Sequence, residues 1–141
     1  MPHPHVPLLI IAQSGRFIAQ AAKRLGLIPL VIDCYGDVDT HEYAEHVITV
    51  AELSLNQLVP ALAQIKAGYP NVEHVVYGSG FEYHPDSLEW LAQHYRLAGN
   101  CPATFTRICD KPNFFCRVIR ANYSVSRISF YRRQYARFWL A

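Results

Sequence analysis

Four short apolar runs alternate with helical periodicity along this chain, and this alternation constrains the fold more than any other feature. The runs are rich in β-branched residues and end at glycine, proline or polar residues, as buried strands do. They are Leu8–Ala12, Leu30–Cys34, Val47–Val50 and His74–Tyr77. Strands that alternate with helices predict an α/β fold, a Rossmann-like doubly wound parallel sheet with right-handed crossovers.

Two helices are predicted between these strands from their apolar spacing. After the first strand, Gly26 is the expected cap, and the apolar face comprises Phe17, Ile18, Ala21, Ala22 and Leu25. Before the fourth strand, Ser54 is an N-cap candidate for a helix with the apolar residues Leu55, Leu58, Val59, Leu62 and Ile65. The segment from Tyr35 to Glu45 is polar and has room for one short helix.

Length and composition predict a single compact domain. A chain of 141 residues can bury about two-thirds of its unfolded surface. No apolar run approaches the ~20 residues of a membrane span, and the N-terminus lacks the basic start of a secretory signal. A cytoplasmic protein is therefore expected. The four cysteines form no CxxC pair, so we expect reduced thiols and no metal site. Residues 1–7 are expected to be flexible, 8–109 to form the domain, and 110–141 to lie beyond it.

The loops after the first and fourth strands are the candidate ligand-binding segments, because open α/β sheets bind ligands at the carboxyl ends of their strands. After the fourth strand, Gly78-Ser79-Gly80-Phe81-Glu82 is a polar loop whose glycines permit positive φ and close approach. Pro85 and Asp86 then suit the start of a helix. A loop that serves only as a tight connection explains the glycines equally well.

Gln13-Ser14-Gly15-Arg16 joins the first strand to a helix N-terminus, a place that favours anions. This arrangement invites a dinucleotide-binding hypothesis, with Asp33 on a ribose hydroxyl. However, only Gly15 of the G-x-G-x-x-G fingerprint is present. Acidic residues are also common at the ends of strands where no ligand binds. A nicotinamide-dependent dehydrogenase is therefore a minor alternative.

A set of motifs resembles one known family. Gly78-Ser79-Gly80-Phe81-Glu82, then Gly99-Asn100 with Pro102, and finally Asp110-Lys111 are similar to the N-terminal domain of ATP-grasp enzymes. The resemblance is strongest to the predicted ATP-dependent carboligases related to biotin carboxylase, and it extends from Leu8 to Phe115. It implies an enzyme that uses ATP and Mg²⁺ to phosphorylate a small carboxylate substrate, after which an amine or similar nucleophile attacks the acyl phosphate.

The resemblance also implies site residues. In such enzymes the first loop lies beside the ligase active site, so Ser14, Gly15 and Arg16 become candidate substrate contacts, together with Gly78, Ser79, Gly80, Phe81 and Glu82. Glu82 could orient an amine or another loop, although a solvated acid at a helix start is an equal alternative. Lys111 is expected to contact nucleotide phosphate. No catalytic residue and no metal ligand is predicted, and His3 and His5 are expected to belong to a mobile tail.

The resemblance implies that residues 110–141 contain the start of the ATP-grasp region, followed by an aberrant or divergent basic aromatic tail. The charge balance changes abruptly at Asp110. Residues 1–109 contain six Lys and Arg against ten Asp and Glu, whereas residues 110–141 contain seven against one. Arginines from Arg117 to Arg137 interleave with aromatic residues from Tyr123 to Trp139, a composition compatible with nucleic-acid contact. A frameshift explains it too: Asn122–Ser126 read one nucleotide later can encode Ile-Ile-Pro-Tyr-Pro, similar to the proline-containing segment of the family. A genuine tail that packs on the domain or on a second copy is the remaining alternative.

The sequence therefore predicts a truncated N-terminal domain of an ATP-grasp ligase that is inactive alone, because the lobes that complete the nucleotide site are missing. Two other functions stay open. One is a stand-alone module that binds a small anion or a nucleotide through the loops at Ser14 and Gly78. The other is nucleic-acid binding through residues 117–139, which is the less favoured of the two. A homodimer is compatible with the sequence, and no membrane partner is expected.

Overall fold

The computed structural model describes residues 5–121 and contains a five-stranded parallel sheet flanked by helices. The strands are β1 (Pro7–Ala12), β2 (Ile28–Asp33), β3 (His46–Thr49), β4 (His74–Tyr77) and β5 (Arg96–Leu97). The helices are α1 (Arg16–Arg24), α2 (Val38–Tyr43), α3 (Leu55–Gly68), α4 (Pro85–His94), α5 (Pro102–Cys109) and α6 (Lys111–Arg120). A 3-10 turn spans Phe81–Tyr83. The four predicted strands are confirmed, with bounds that differ by no more than two residues.

The strand order is β3-β2-β1-β4-β5, and all four pairs of neighbours are parallel. Leu9, in the central strand β1, pairs with Leu30 of β2 on one side and with Val75 of β4 on the other. The chain thus adds β2 and β3 on one side of β1, and then returns to add β4 and β5 on the other side. The strand order reverses between β1 and β4, which is the point where open sheets of this kind bind ligands.

Helices cover both faces of the sheet, which confirms the predicted doubly wound fold. Alternate residues of the strands point to opposite faces. Ile10 and Val31 pack with residues of α1 and α2. On the other face the larger core contains Leu9, Ile11, Leu30 and Ile32 together with α3 and α4 residues, of which Leu58, Leu62, Leu88 and Leu91 are fully or almost fully buried.

The buried face of α1 differs from the predicted one. Ala19 and Ala22 are buried and Ile18 is partly buried, whereas Phe17 and Leu25 are 70% and 72% exposed. The small alanine side chains let the helix lie close against Ile10 and Val31, and the larger apolar residues are turned outward. Spacing alone could not distinguish these two faces, because apolar residues occur on both.

Helix α3 and one edge of the sheet also depart from the predictions. Ser54 is at the N-cap of α3, but its hydroxyl makes no capping hydrogen bond. Val59 is 42% exposed, whereas Ala61 is buried. The fifth strand, Arg96–Leu97, was not predicted, because two residues carry no measurable periodicity.

The chain divides into two compact units after Thr106, and the second unit begins at Arg107. Its helix α6 begins at Lys111, behind Asp110, whose carboxylate accepts a hydrogen bond from the backbone N–H of Asn113. The helix continues to Arg120, five residues beyond Phe115, so a regular structure follows the Asp-Lys motif. His3 and the arginine- and aromatic-rich residues from Tyr123 to Trp139 lie outside the described part. Between residues 5 and 121, no helix is long and apolar enough to cross a membrane.

Candidate functional site

Two of the loops predicted from the sequence meet at the reversal of strand order. The loop after β1 begins at Gln13, and the loop after β4 contains Ser79. The backbone N–H of Gln13 donates to the carbonyl oxygen of Ser79 at 2.8 Å. The structure therefore brings together the two segments that the sequence marks as candidates, 65 residues apart in the chain, at the carboxyl edge of the sheet.

Glycine is required where these two loops approach each other. A Cβ on Gly78 would lie 2.7 Å from the Cβ of Ala12, closer than real contacts allow. Gly80 has φ +108°, a backbone conformation that residues other than glycine rarely adopt. A Cβ there would also lie 2.9 Å from the Leu53 side chain. These glycines permit the close packing of the loops, as expected from the sequence.

Asp33, at the end of β2, fastens the first loop to the loop after β2. Its Oδ2 accepts a hydrogen bond from the N–H of Gly15 at 3.1 Å, and its Oδ1 accepts one from the N–H of Gly36 at 2.9 Å. The residue is fully buried. Because both oxygens are bonded to the backbone and shielded from solvent, Asp33 is not available to a ribose hydroxyl. The dinucleotide-binding hypothesis required this carboxylate to bind the ribose, so the structure does not support it.

Arg16 carries the positive charge of the first loop. Its Nη1 lies 3.0 Å from Oδ2 of Asp39, and its Cζ lies 4.5 Å from the ring centroid of Phe17. The Arg16 and Asp39 side chains are 36% and 54% exposed, so the pair is largely solvated and holds the guanidinium only weakly. A carboxylate on a ligand could therefore replace Asp39 at Arg16. Ser14 is partly exposed beside it.

The second loop divides its residues between the surface and the core. Ser79 and Glu82 are exposed, and Oε2 of Glu82 accepts the N–H of Gly80 at 2.7 Å. Phe81 departs from its prediction as a substrate contact. Its side chain is fully buried and packs edge-on against Tyr77, with ring centroids 5.8 Å apart. The physical reason is hydrophobic: a phenylalanine directly above the core gains more from burial than from exposure in a loop.

An exposed apolar rim at this edge was missed by the sequence analysis. In the described part of the chain, five large apolar side chains are more than half exposed, and four of them follow the carboxyl ends of strands. These four form the rim: Phe17, Tyr35, Val38 and Tyr83. Exposed apolar side chains at one edge of a sheet are available for contact with another molecule or domain. The available signal was an aromatic or β-branched residue in a polar segment that follows a strand.

The thiol next to the Asp33 carboxylate is kept protonated. Burial raises the pKa of Cys34, and the negative charges of Asp33 and Glu52 raise it further. A neutral thiol is a poor nucleophile, so Cys34 is a packing residue at the end of β2.

Lys111 and a possible metal site are the features of this chain that bear on the binding of ATP and Mg²⁺. Lys111 is exposed at the first residue of α6, within the second unit. Residues 5–121 hold no group of three or more His, Cys, Asp or Glu side chains that could bind a metal ion. The described residues therefore do not fit a Mg²⁺ site, and a single lysine does not form a nucleotide site.

Solved structures of ATP-grasp enzymes share this fold. N5-carboxyaminoimidazole synthetase from Staphylococcus aureus is 23% identical over 65% of this chain and 23% of its own, with a TM-score of 0.50. The biotin carboxylase domain of a single-chain bacterial carboxylase is 19% identical over 85% of this chain and 30% of its own, with a TM-score of 0.58. N5-carboxyaminoimidazole ribonucleotide synthetase from Thermotoga maritima is 16% identical over 96% of this chain and 37% of its own, also with a TM-score of 0.58.

These likenesses confirm the predicted resemblance at the level of the fold: the chain has the architecture of the N-terminal domain of ATP-grasp enzymes. The chain spans between about a quarter and somewhat over a third of the length of these structures. No protein-family model matches the sequence, and no curated protein does.

Proposed function

We propose that this chain is the substrate-facing N-terminal domain of an ATP-grasp ligase. The observation that carries the proposal is the meeting of the Gln13–Arg16 and Gly78–Glu82 loops at the reversal of strand order, in a fold shared with three ATP-grasp structures. The exposed apolar rim at the same edge supports it, because a domain that faces the rest of an enzyme leaves such a surface uncovered when it stands alone.

Each polar side chain of the two loops has a role in the proposal. Arg16 binds the substrate carboxylate in place of Asp39, because a guanidinium and a carboxylate form paired, charge-assisted hydrogen bonds. Ser14 and Ser79 donate hydrogen bonds to the substrate. Glu82, already turned toward the loop by its bond to Gly80, accepts a hydrogen bond from the amine that attacks. Gly15, Gly78 and Gly80 shape the backbone, and Phe81 supports the loop from the core.

In the complete enzyme, ATP would supply the phosphoryl group that activates the substrate carboxylate. Lys111 is the residue of this chain assigned to its phosphates, by resemblance to the Asp-Lys motif of biotin-carboxylase-like enzymes. Most of the catalysis of phosphoryl transfer comes from positioning and charge stabilisation, which one lysine does not provide. The chain by itself is therefore expected to bind substrate weakly and to catalyse no ligation.

Substrate binding is tested by calorimetric titration of small carboxylic and amino acids into the whole chain. Saturable binding of one class of carboxylate is expected, with loss of binding in Ser79→Trp, because the large indole would block access to the two loops. Asn71→Trp is the matched control, because Asn71 is exposed just before β4, at the opposite edge of the sheet. Equal binding by wild type and Ser79→Trp would contradict the proposed site.

The absence of turnover has a separate test. Purified chain with ATP, Mg²⁺ and the bound carboxylate should release ADP at the same background rate as Lys111→Ala. Release above that control would show that the chain is an enzyme in its own right.

The proposal also holds that the remaining lobes are encoded beside this sequence. Resequencing the gene from the codon for Asp110 onward, with translation in all three frames, tests this. A glycine-rich lid and a carboxylate-bearing lobe in another frame would support a broken ligase gene. Their absence from every frame would favour a genuine basic tail, and with it the binding-module alternatives.

A further inference from the structure

Helix α1 has no anion of its own at its N-terminus. Its N-cap is Gly15, which has no side chain, and its first turn contains no acidic residue. The first N–H groups of a helix lack partners within the helix, and the helix dipole favours a negative charge beside them. In dinucleotide-binding proteins of this architecture, that charge is the phosphate of the ligand.

Asp33 occupies this place in the present chain. It extends from the end of β2, the strand next to β1, and its Oδ2 receives the N–H of the N-cap residue Gly15 at 3.1 Å. Glycine at position 15 makes this approach possible, because a Cβ there would lie 2.5 Å from Cγ1 of Val31. The carboxylate is thus fitted against the helix by the packing of the two strands.

The burial of Asp33 requires such a partner. The residue is fully buried, and it takes no part in the two ion pairs of the described chain, which join Arg16 to Asp39 and Arg96 to Glu73. A buried carboxylate without compensation is strongly unfavourable. The N–H groups of Gly15 and Gly36 and the N-terminus of α1 provide the compensation. In return the carboxylate fixes the backbone at Gly15, between Ser14 and Arg16, and at Gly36 in the loop after β2.

We propose that Asp33 is an internal anion that takes the place of a ligand phosphate at α1 and acts as the positioning residue of the candidate site. Two consequences follow. Ligands meet the side chains of Ser14 and Arg16, not the backbone N–H of Gly15, so pyrophosphate-bearing dinucleotides are excluded. The direction of the Arg16 side chain depends on Asp33 through Gly15, although the two side chains belong to different elements. The identity of the substrate rests on the proposed function, whereas the role of Asp33 does not.

The positioning role is tested by NMR on the isotope-labelled whole chain with Asp33→Asn. The amide protons of Gly15 and Gly36 should move upfield as the charged acceptor is lost, and the Arg16 Nε–H signal should move toward that of free arginine. Asp37→Asn is the matched control: Asp37 is exposed in the loop that follows Asp33, and its side chain makes no capping hydrogen bond. It should leave the Gly15 and Arg16 signals in place, whereas Gly36 is its direct neighbour and is not used in this comparison. Unmoved Gly15 and Arg16 signals in folded Asp33→Asn would overturn the role.

The wild-type protein gives a second readout that does not depend on the folding of the variant. Scalar coupling across the hydrogen bond between the Gly15 nitrogen and the Asp33 side-chain carboxyl carbon should be detectable, and its absence would contradict the proposal. Titration with NAD⁺ and with inorganic pyrophosphate should produce no saturable shifts at residues 14–19. Saturable binding that displaces the Gly15 signal would show that the ligand, and not Asp33, takes this place. If no carboxylate binds, the proposed function is overturned. The NMR results would still decide the role of Asp33, because they do not depend on a substrate.

Discussion

Gly15 is the residue at which the packing of the sheet and the shape of the candidate site meet. Its N–H binds Asp33, its carbonyl oxygen accepts the first hydrogen bond of α1, from Ala19, and its missing side chain leaves room for Val31. A glycine here is explained by close approach, since its φ of −89° is open to any residue. The site and the fold therefore depend on the same small residue.

Replacement of Gly15 by alanine should lower the free energy of unfolding by about 1–3 kcal/mol, because the new methyl group would overlap Cγ1 of Val31. Urea denaturation followed by circular dichroism measures the effect. Gly68→Ala is the control, since a Cβ at Gly68 meets nothing within 4 Å, and it should be neutral or stabilising by up to about 1 kcal/mol. A harmless Gly15→Ala would show that α1 can move away from β2 without cost.

Cys101 and Cys34 should differ in the pH at which they react. The hydrogen bonds from Thr104, first from its side chain and then from its backbone, lower the pKa of Cys101 from its ordinary value, whereas burial and neighbouring carboxylates raise that of Cys34. A lower pKa means that the thiolate is present at lower pH. Alkylation by iodoacetamide, followed peptide by peptide with mass spectrometry, should therefore reach its half-maximal rate at a lower pH for Cys101.

Thr104→Ala is the variant that tests the cause. Loss of the side-chain hydrogen bond, which spans 3.3 Å, should move the Cys101 profile to higher pH and leave that of Cys34 unchanged. An unaltered Cys101 profile in Thr104→Ala would refute the assignment.

Single residues also show what a sequence can and cannot predict about this site. Ser79 and the glycines of its loop could be placed because they follow a clear strand at the edge where ligands bind. The bonds of Asp33 to Gly15 could not, because the residues are 18 apart and only the pairing of β1 with β2 brings them together. Phe81 could be read either as a contact or as core, and its burial depends on the helices packed beneath it.

At the scale of elements, the turn after β5 is held by a polar contact to the neighbouring strand β4. Tyr77, the last residue of β4, donates its hydroxyl to the carbonyl oxygen of Asn100 at 2.7 Å, and its ring packs edge-on against Phe105 of α5. Gly99 lies against the same ring, where a Cβ would come within 3.3 Å. The Gly99-Asn100 motif of the sequence is thus explained by the structure as the docking point of a turn on Tyr77.

Tyr77→Phe should lower the free energy of unfolding by about 0.5–1.5 kcal/mol, because it removes this hydrogen bond and keeps the aromatic packing. The loss should be accompanied by faster hydrogen exchange in residues 98–101. Tyr83→Phe serves as the comparison, since the Tyr83 side chain is 87% exposed, and its effect should stay within about 0.5 kcal/mol. If the two variants were equally stable, the Asn100 contact would contribute nothing to the turn.

Element positions were predicted better than element orientations. Hydrophobic runs and glycine boundaries placed β1 to β4 within two residues, because burial on both faces leaves a continuous apolar signal. The rotation of α1 about its axis could not be predicted, since Phe17 and Leu25 lie on its exposed side and only alanines and Ile18 face the sheet. Strand β5 is specified by its pairing with β4 and not by its own two residues.

At the scale of the whole molecule, the core belongs to the first unit. Every buried hydrophobic side chain of the described chain lies between Leu9 and Tyr95, whereas the residues of α5 and α6 include none that is buried. A chain that ends at Thr106 should therefore retain the sheet and unfold in one cooperative urea transition. A gradual transition without a folded baseline would show instead that residues from Arg107 onward are needed for the core to form.

The central claim is that the carboxyl edge between β1 and β4 binds a carboxylate substrate, and it is tested most directly by mapping chemical shifts on the labelled whole chain. Carboxylates that bind by calorimetry should shift the amides of Ser14 and Ser79 and the Arg16 Nε–H signal together, with one common dissociation constant. Shifts confined to other parts of the chain, or no binding by any carboxylate or amino acid, would contradict the account.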